Sequence, residues 1–150
     1  MGGQLEPFLA LSAILTGFRE VQLSGTEVAQ QHLDVLREAL PAAIVDDLFT
    51  AFKRLPAGDG REKAVAATIL GDPKLGPVAK NIILLWYTGM WNQMPEIWRR
   101  AHGASVRDVT HLPSGAAYRA GLQWAVAGAH PPGASHQGFA SWALEPRGRA

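Results

Sequence analysis

The sequence of 150 residues contains no cysteine. That excludes disulfides, thiolate nucleophiles, CxxC redox pairs and cysteine-ligated zinc or iron–sulfur sites. Charge is sparse: 18% of residues are charged, and 14 Lys and Arg stand against 13 Asp and Glu, for a formal net charge of +1. So small a balance leaves no electrostatic footprint for nucleic acid or an anionic membrane surface. Long hydrophobic runs are missing as well. The most apolar stretch, Ile82 to Trp91, is ten residues long, whereas a membrane span needs about 20. The opening MGGQLEPFLALSAIL places Glu6 before its apolar run and has no Lys or Arg before Arg19. It therefore lacks the basic start of a secretory signal and reads as a first helix; if the natural protein is exported, its signal has been removed or is carried by another chain.

What remains is the composition of one ordinary globular domain, with 47% hydrophobic residues and a length suited to a single core. Charge is unevenly placed. Residues 1–98 carry eight basic and eleven acidic side chains, and residues 99–150 carry six and two. An acidic front and a basic back predict two kinds of surface on one domain. No internal repeat is present.

Residues 7–127 read as a helical body. Pro7 and Gly17 suit the start and end of a first helix. Ser24-Gly25-Thr26-Glu27 has the spacing of a capping box, and behind it Ala29, Leu33, Leu36 and Leu40 form one apolar stripe. Pro41 restarts the chain before Val45, Leu48, Phe52 and Leu55. The linker Pro56 to Gly60 ends that helix, and Asp59 with Glu62 is expected to cap the next one, which carries Val65 and Ile69. Gly71-Asp72-Pro73 marks another stop and start, and Gly76-Pro77 is expected to kink or reset the helix that follows. From Val78 to Trp91 apolar residues occupy nearly every face, the mark of a helix buried centrally or between a domain and its partner. A short helix around Pro95–Arg100 and a long loop come next. Ser114 is expected to cap one last helix to about Ala127. No stretch alternates with period two between turn signals, so the fold class is all-α: a compact multi-helix bundle.

Residues 128–150 are different. Four Gly and three Pro among 23 residues preclude a helix or core of their own. His130-Pro131-Pro132 favours extended geometry, yet the segment holds Phe139 and Trp142. Leaving both rings in water forgoes roughly 1.5–3 kcal/mol each. The expectation is an extended C-terminal tail on a fixed path across an apolar surface, belonging either to its own bundle or to another protein.

Chemical constellations are few. His102, His111, His130 and His136 lack the helical i, i+4 spacing of a zinc site. Asp46 and Asp47 are adjacent on a helix and point apart, so they read as a solvated face. Ser114, His130 and Asp108 are a triad in composition only, without a nucleophile elbow. Gly58-Asp59-Gly60 lacks the strand and third glycine of a dinucleotide fingerprint. Arg99-Arg100, with Arg107 and Arg119, reads as pairing with acidic groups of a protein partner or of the chain itself. Trp86 reads as core. Trp91, Trp98 and Trp142 are divided between internal packing and interface anchoring, since Trp and Arg dominate interface hot spots.

Five stretches together resemble one family. Leu85-Trp86-Tyr87-Thr88-Gly89-Met90-Trp91 is followed by Ser114-Gly115-Ala116-Ala117-Tyr118 running into Gly121-Leu122-Gln123-Trp124. Gly128 to Ala134 and Gly138-Phe139-Ala140-Ser141-Trp142-Ala143 complete the set. With the opening Pro7 to Ser12 and Leu15-Thr16-Gly17, these residues resemble the small (gamma) subunits of bacterial FAD-dependent sugar and polyol dehydrogenases, the sorbitol dehydrogenase small-subunit family. The resemblance implies a non-catalytic accessory or chaperone subunit, with no cofactor of its own. Its partner is a catalytic subunit of glucose–methanol–choline type that carries FAD, with an iron–sulfur cluster as an optional second group. A multihaem cytochrome c often takes the electrons. The implied location is the periplasm, reached through a twin-arginine signal that this sequence does not show, with any membrane association through other subunits. Relatives' cysteines are absent too, so no covalent link to a partner is implied. On this reading the partner-binding residues are Trp86, Tyr87, Trp91, Trp98, Arg99, Arg100, Tyr118, Trp124, His130, Pro131, Pro132, Phe139 and Trp142. The competing readings are a self-contained helical interaction domain, a small enzyme or metal-binding protein using the histidines, and a nucleic-acid binder using the arginines.

Overall fold

The computed structural model describes residues 2–128. The expected tail path, from residue 129 onward, lies outside them. The described residues are all-α, and their one isolated β-bridge pairs Trp91 with His111.

In the first four helices, α2, α3 and α4 each pack against α1. Helix α1 (Leu5–Thr16) buries Phe8 and Leu11 and stops at Gly17, whose φ of 83° is left-handed and whose N–H donates to the Ala13 carbonyl. A short α2 (Glu20–Gly25) buries Leu23 against α1. Here the expected capping box is corrected. Ser24 and Gly25 close α2 instead of opening the next helix, and the Thr26 hydroxyl donates to the Leu23 carbonyl at 2.6 Å. Burial of Leu23 carries the helix through Ser24, and local capping chemistry gives way to that packing. Helix α3 (Ala29–Ala39) presents the expected stripe, widened by His32 and Val35. After Pro41, α4 (Ala42–Lys53) buries Ile44, Val45, Leu48, Phe49 and Phe52, while Asp46 and Asp47 stay exposed and Asp47 pairs with Lys74.

Helix α5 (Arg61–Val65) follows Gly60 and has no side-chain cap, so the expected Asp59–Glu62 arrangement is absent. A π-helical turn over Ala66–Leu70 continues α5 and buries Ile69. The restart at Asp72 is as expected: its Oδ2 accepts from the backbone N–H groups of Lys74 and Leu75 at 2.9 and 2.8 Å. Helix α6 (Leu75–Thr88) then runs through Gly76 and Pro77 without a reset. Pro77 lies in the first turn, where its missing N–H has no intrahelical partner to lose. Buried positions Val78, Ala79, Ile82, Leu85 and Trp86 make α6 the central helix, against α1, α3, α4 and the π-turn.

After α6 comes α7 (Glu96–His102), then a loop to the bridge at His111. Ser114 caps α8 (Gly115–Arg119) by accepting from the Ala117 N–H at 3.0 Å. The expected single helix to Ala127 is broken at Gly121, and α9 (Leu122–Ala127) starts afresh. The cause is tertiary: a Cβ on Gly121 would lie 2.7 Å from the Tyr87 carbonyl oxygen.

Candidate functional site

The residues expected to grip a partner separate by burial. Trp86 is 1% exposed; it stacks on Phe8 and meets His32 edge-on, with ring centroids 4.6 Å apart. Trp91 is fully buried and its Nε1–H donates to Asp108 Oδ1 at 2.8 Å. Trp98 is buried and donates to the Lys74 carbonyl at 2.8 Å. The core reading of Trp86 holds, Trp91 and Trp98 fall on the internal-packing side of their two readings, and none of the three rings expected at a partner surface faces outward. Trp91 and Trp98 find a hydrogen-bond acceptor inside the chain, whereas Trp86 finds aromatic neighbours and its Nε1–H has no hydrogen-bond partner among the described residues.

Tyr87 is half-buried; its hydroxyl donates to the Thr16 carbonyl at 2.8 Å, and its ring meets Phe18 edge-on. Tyr118 and Trp124, both half-buried, pack edge-to-face at 5.5 Å, and Trp124 Nε1–H donates to the Tyr118 carbonyl. Arg99 gives its Nε–H to Asp108 at 2.9 Å, whereas Arg100 is exposed and pairs with Glu96 one turn away. Arg107 lies 3.5 Å from Glu38. Arg99, Arg100 and Arg107 thus pair with acidic groups of their own chain, while Arg119 is in none of the ion pairs among the described residues. His130, Pro131, Pro132, Phe139 and Trp142 lie outside the described residues.

Sequence reasoning missed the organising role of Asp108. This carboxylate is 1% exposed and accepts from Trp91 Nε1–H, the Met94 N–H and Arg99 Nε–H. It ties the end of α6, the entry to α7 and the following loop together. No pattern around it in the sequence announces that role. A second missed clamp did leave a signal, a lone amide in the apolar run. Asn81 donates to the Asn92 carbonyl and accepts from the Asn92 N–H.

His32 is a third. It is 1% exposed, its Nδ1 has no hydrogen-bond partner among the described residues, and burial pushes its pKa from 6.5 down to about 4. Above pH 6.5 the imidazole is neutral in both the folded and unfolded chain. As pH falls towards 4, the unfolded chain takes up the proton first, so stability is lost across that window. About 1.4 kcal/mol per unit gives a loss of about 3 kcal/mol by pH 4. Urea unfolding at pH 7.5 and 4.5 should show this loss, and His32→Leu should remove most of it. An equal loss in the variant would move the effect to other groups.

Among the described residues no three His, Asp or Glu side chains are placed to hold a metal ion together, and no helix is long and apolar enough to cross a membrane. The surface of the described residues carries several grooves. One of about 540 Å³ lies beside Gly3, Arg37, Val45, Asp46 and Lys53. Another of about 270 Å³ lies along α6. Others of about 280 and 370 Å³ run between α3 and the loop through Val109 and His111. The buried carboxylate of Asp108 and the indoles of Trp91 and Trp98 are engaged in holding helices and loops together. A scan with protein-family models and searches of curated proteins and of solved structures each found no match to this chain.

Proposed function

We propose that this chain is a non-catalytic accessory subunit that binds and stabilises the FAD-carrying catalytic subunit of a sugar or polyol dehydrogenase. One observation carries the reading. Two of the stretches that carry the family resemblance, Leu85–Trp91 and Ser114–Trp124, meet in space. A Cβ on Gly89 would sit 2.5 Å from the Ala117 carbonyl oxygen, and Gly121 faces the Tyr87 carbonyl. The shared residues are therefore architectural: they fix how α8 and α9 lie on α6, from which the chain leaves at Gly128. A pattern spent on scaffold rather than on a reacting cleft is what a supporting subunit needs.

In this reading FAD, and any iron–sulfur cluster, belong to the glucose–methanol–choline-type partner. A multihaem cytochrome c receives the electrons, and the complex works in the periplasm. Binding only the folded partner stabilises it by mass action. The burial of Trp86, Trp91 and Trp98 also fits a second reading, a self-contained helical interaction domain without an oxidoreductase partner.

Co-expression separates the two. A glucose–methanol–choline-type flavoprotein from the same genome should give several-fold more soluble, flavin-loaded protein with this chain than alone. Equal yield and equal flavin content in both cases overturn the proposal.

A further inference from the structure

Helix α6 is apolar on nearly every side, and only one stripe of it is left open. Pro77, Lys80 and Leu84 fall at steps of three and four along that stripe, with Lys80 exposed and Leu84 44% exposed. Residues 92–95 pass alongside, and the two segments enclose the groove of about 270 Å³, with Pro77, Leu84 and Pro95 supplying apolar surface and Lys80, Asn92 and Gln93 polar edges.

Two features give this groove a preference. Its walls are fixed to each other, because the Asn81 side chain holds the Asn92 backbone through both its N–H and its carbonyl. A groove set before binding loses little freedom when filled. Lys80 is the one charged side chain lining it, and none of the ion pairs among the described residues involves Lys80. An apolar slot with an unopposed cation at its edge is complementary to a segment offering an aliphatic or aromatic side chain beside a carboxylate. A second copy seated on the same face about a two-fold axis brings Lys80 towards Lys80, which disfavours self-association there.

We propose that this α6 groove is where the catalytic flavoprotein docks, through a segment that places an apolar residue against Pro77 and Leu84 and an Asp or Glu on Lys80. The assignment rests on the accessory-subunit reading and adds to it the face and the chemistry of the contact.

The test uses the full chain co-expressed with the flavoprotein. The photo-crosslinking residue p-benzoylphenylalanine is placed at Leu84 or, for comparison, at Val21, which is 65% exposed on α2. The expected result is a Leu84 adduct to a flavoprotein peptide with an acidic residue next to an apolar one, and no flavoprotein adduct from Val21. Lys80→Glu should lower the amount of co-purified flavoprotein about tenfold, Lys80→Arg should retain it, and neither should change the melting temperature of the isolated chain. If the flavoprotein co-purifies but Leu84 reacts with residues 129–150, with a second copy, or with nothing, the groove assignment is wrong and the accessory reading stands. If the unmodified chain brings down no flavoprotein, the accessory reading fails and the assignment falls with it.

Discussion

Asp108→Ala is expected to cost about 3–5 kcal/mol of folding stability, the range for removing one member of a buried, hydrogen-bonded ion pair. The substitution strands three donors together. Trp91 Nε1–H loses its acceptor at 2.8 Å, the Met94 N–H loses contacts at 3.1 and 3.3 Å to the two carboxylate oxygens, and Arg99 loses its partner at 2.9 Å. Trp91 is fully buried, so water cannot replace the lost acceptor without opening the core. Asp108→Asn keeps one carbonyl oxygen for Trp91 or Met94 but gives up the charge and turns the other acceptor into an NH2 donor facing donors, so its loss should be smaller than that of Asp108→Ala without vanishing. Arg99 is less enclosed, with a quarter of its side chain exposed, and Arg99→Ala should cost less than Asp108→Ala. Urea unfolding of the three variants, followed by tryptophan fluorescence, gives the order. If Asp108→Ala proved no worse than Arg99→Ala, Asp108 would not be the organising group.

Gly89→Ala is expected to cost about 2–4 kcal/mol, from a left-handed backbone and a collision acting together. Gly89 closes α6 with φ of 78°, and a Cβ there would lie 2.5 Å from the Ala117 carbonyl oxygen and 2.8 Å from the Tyr118 Cα. Both obstacles are backbone, so neither can swing away. Gly17 supplies the control. It closes α1 at a nearly identical φ of 83°, but nothing lies within 4 Å of its would-be Cβ. Gly17→Ala should therefore cost only the conformational part, about 1 kcal/mol. The difference between the two thermal midpoints isolates the close approach of α8 to the end of α6. Equal losses would show that the contact contributes nothing.

Much of the helical layout is legible in the sequence because its signals are local. The stripe on α3, the Pro41 restart, the stop at Gly17, the restart at Asp72 and the cap at Ser114 each involve residues within a few positions of one another. The features that escape reading depend on distant partners. Nothing near Trp91 indicates that Asp108, 17 residues on, will meet its indole. Trp98 finds the Lys74 carbonyl, 24 residues back. Ser24 looks like a cap until Leu23 is seen to need burial, and the break at Gly121 is set by the Tyr87 carbonyl. The candidate partner surface suffers most from this. Rings chosen as anchors for their size are the ones a core takes first, while the open stripe of α6 is marked by Lys80, an unremarkable residue in an apolar run.

The home pairing of the arginines has a kinetic consequence. Arg99, Arg100 and Arg107 carry half of the positive charge of residues 99–150, and each faces an acidic group of the same chain within 3.5 Å. Opposite charges that close together cancel over a Debye length of about 8–10 Å. These three arginines therefore contribute little long-range field to the basic part of the sequence. They would add little electrostatic steering to any association, and replacing one of them should leave its ionic-strength dependence nearly unchanged.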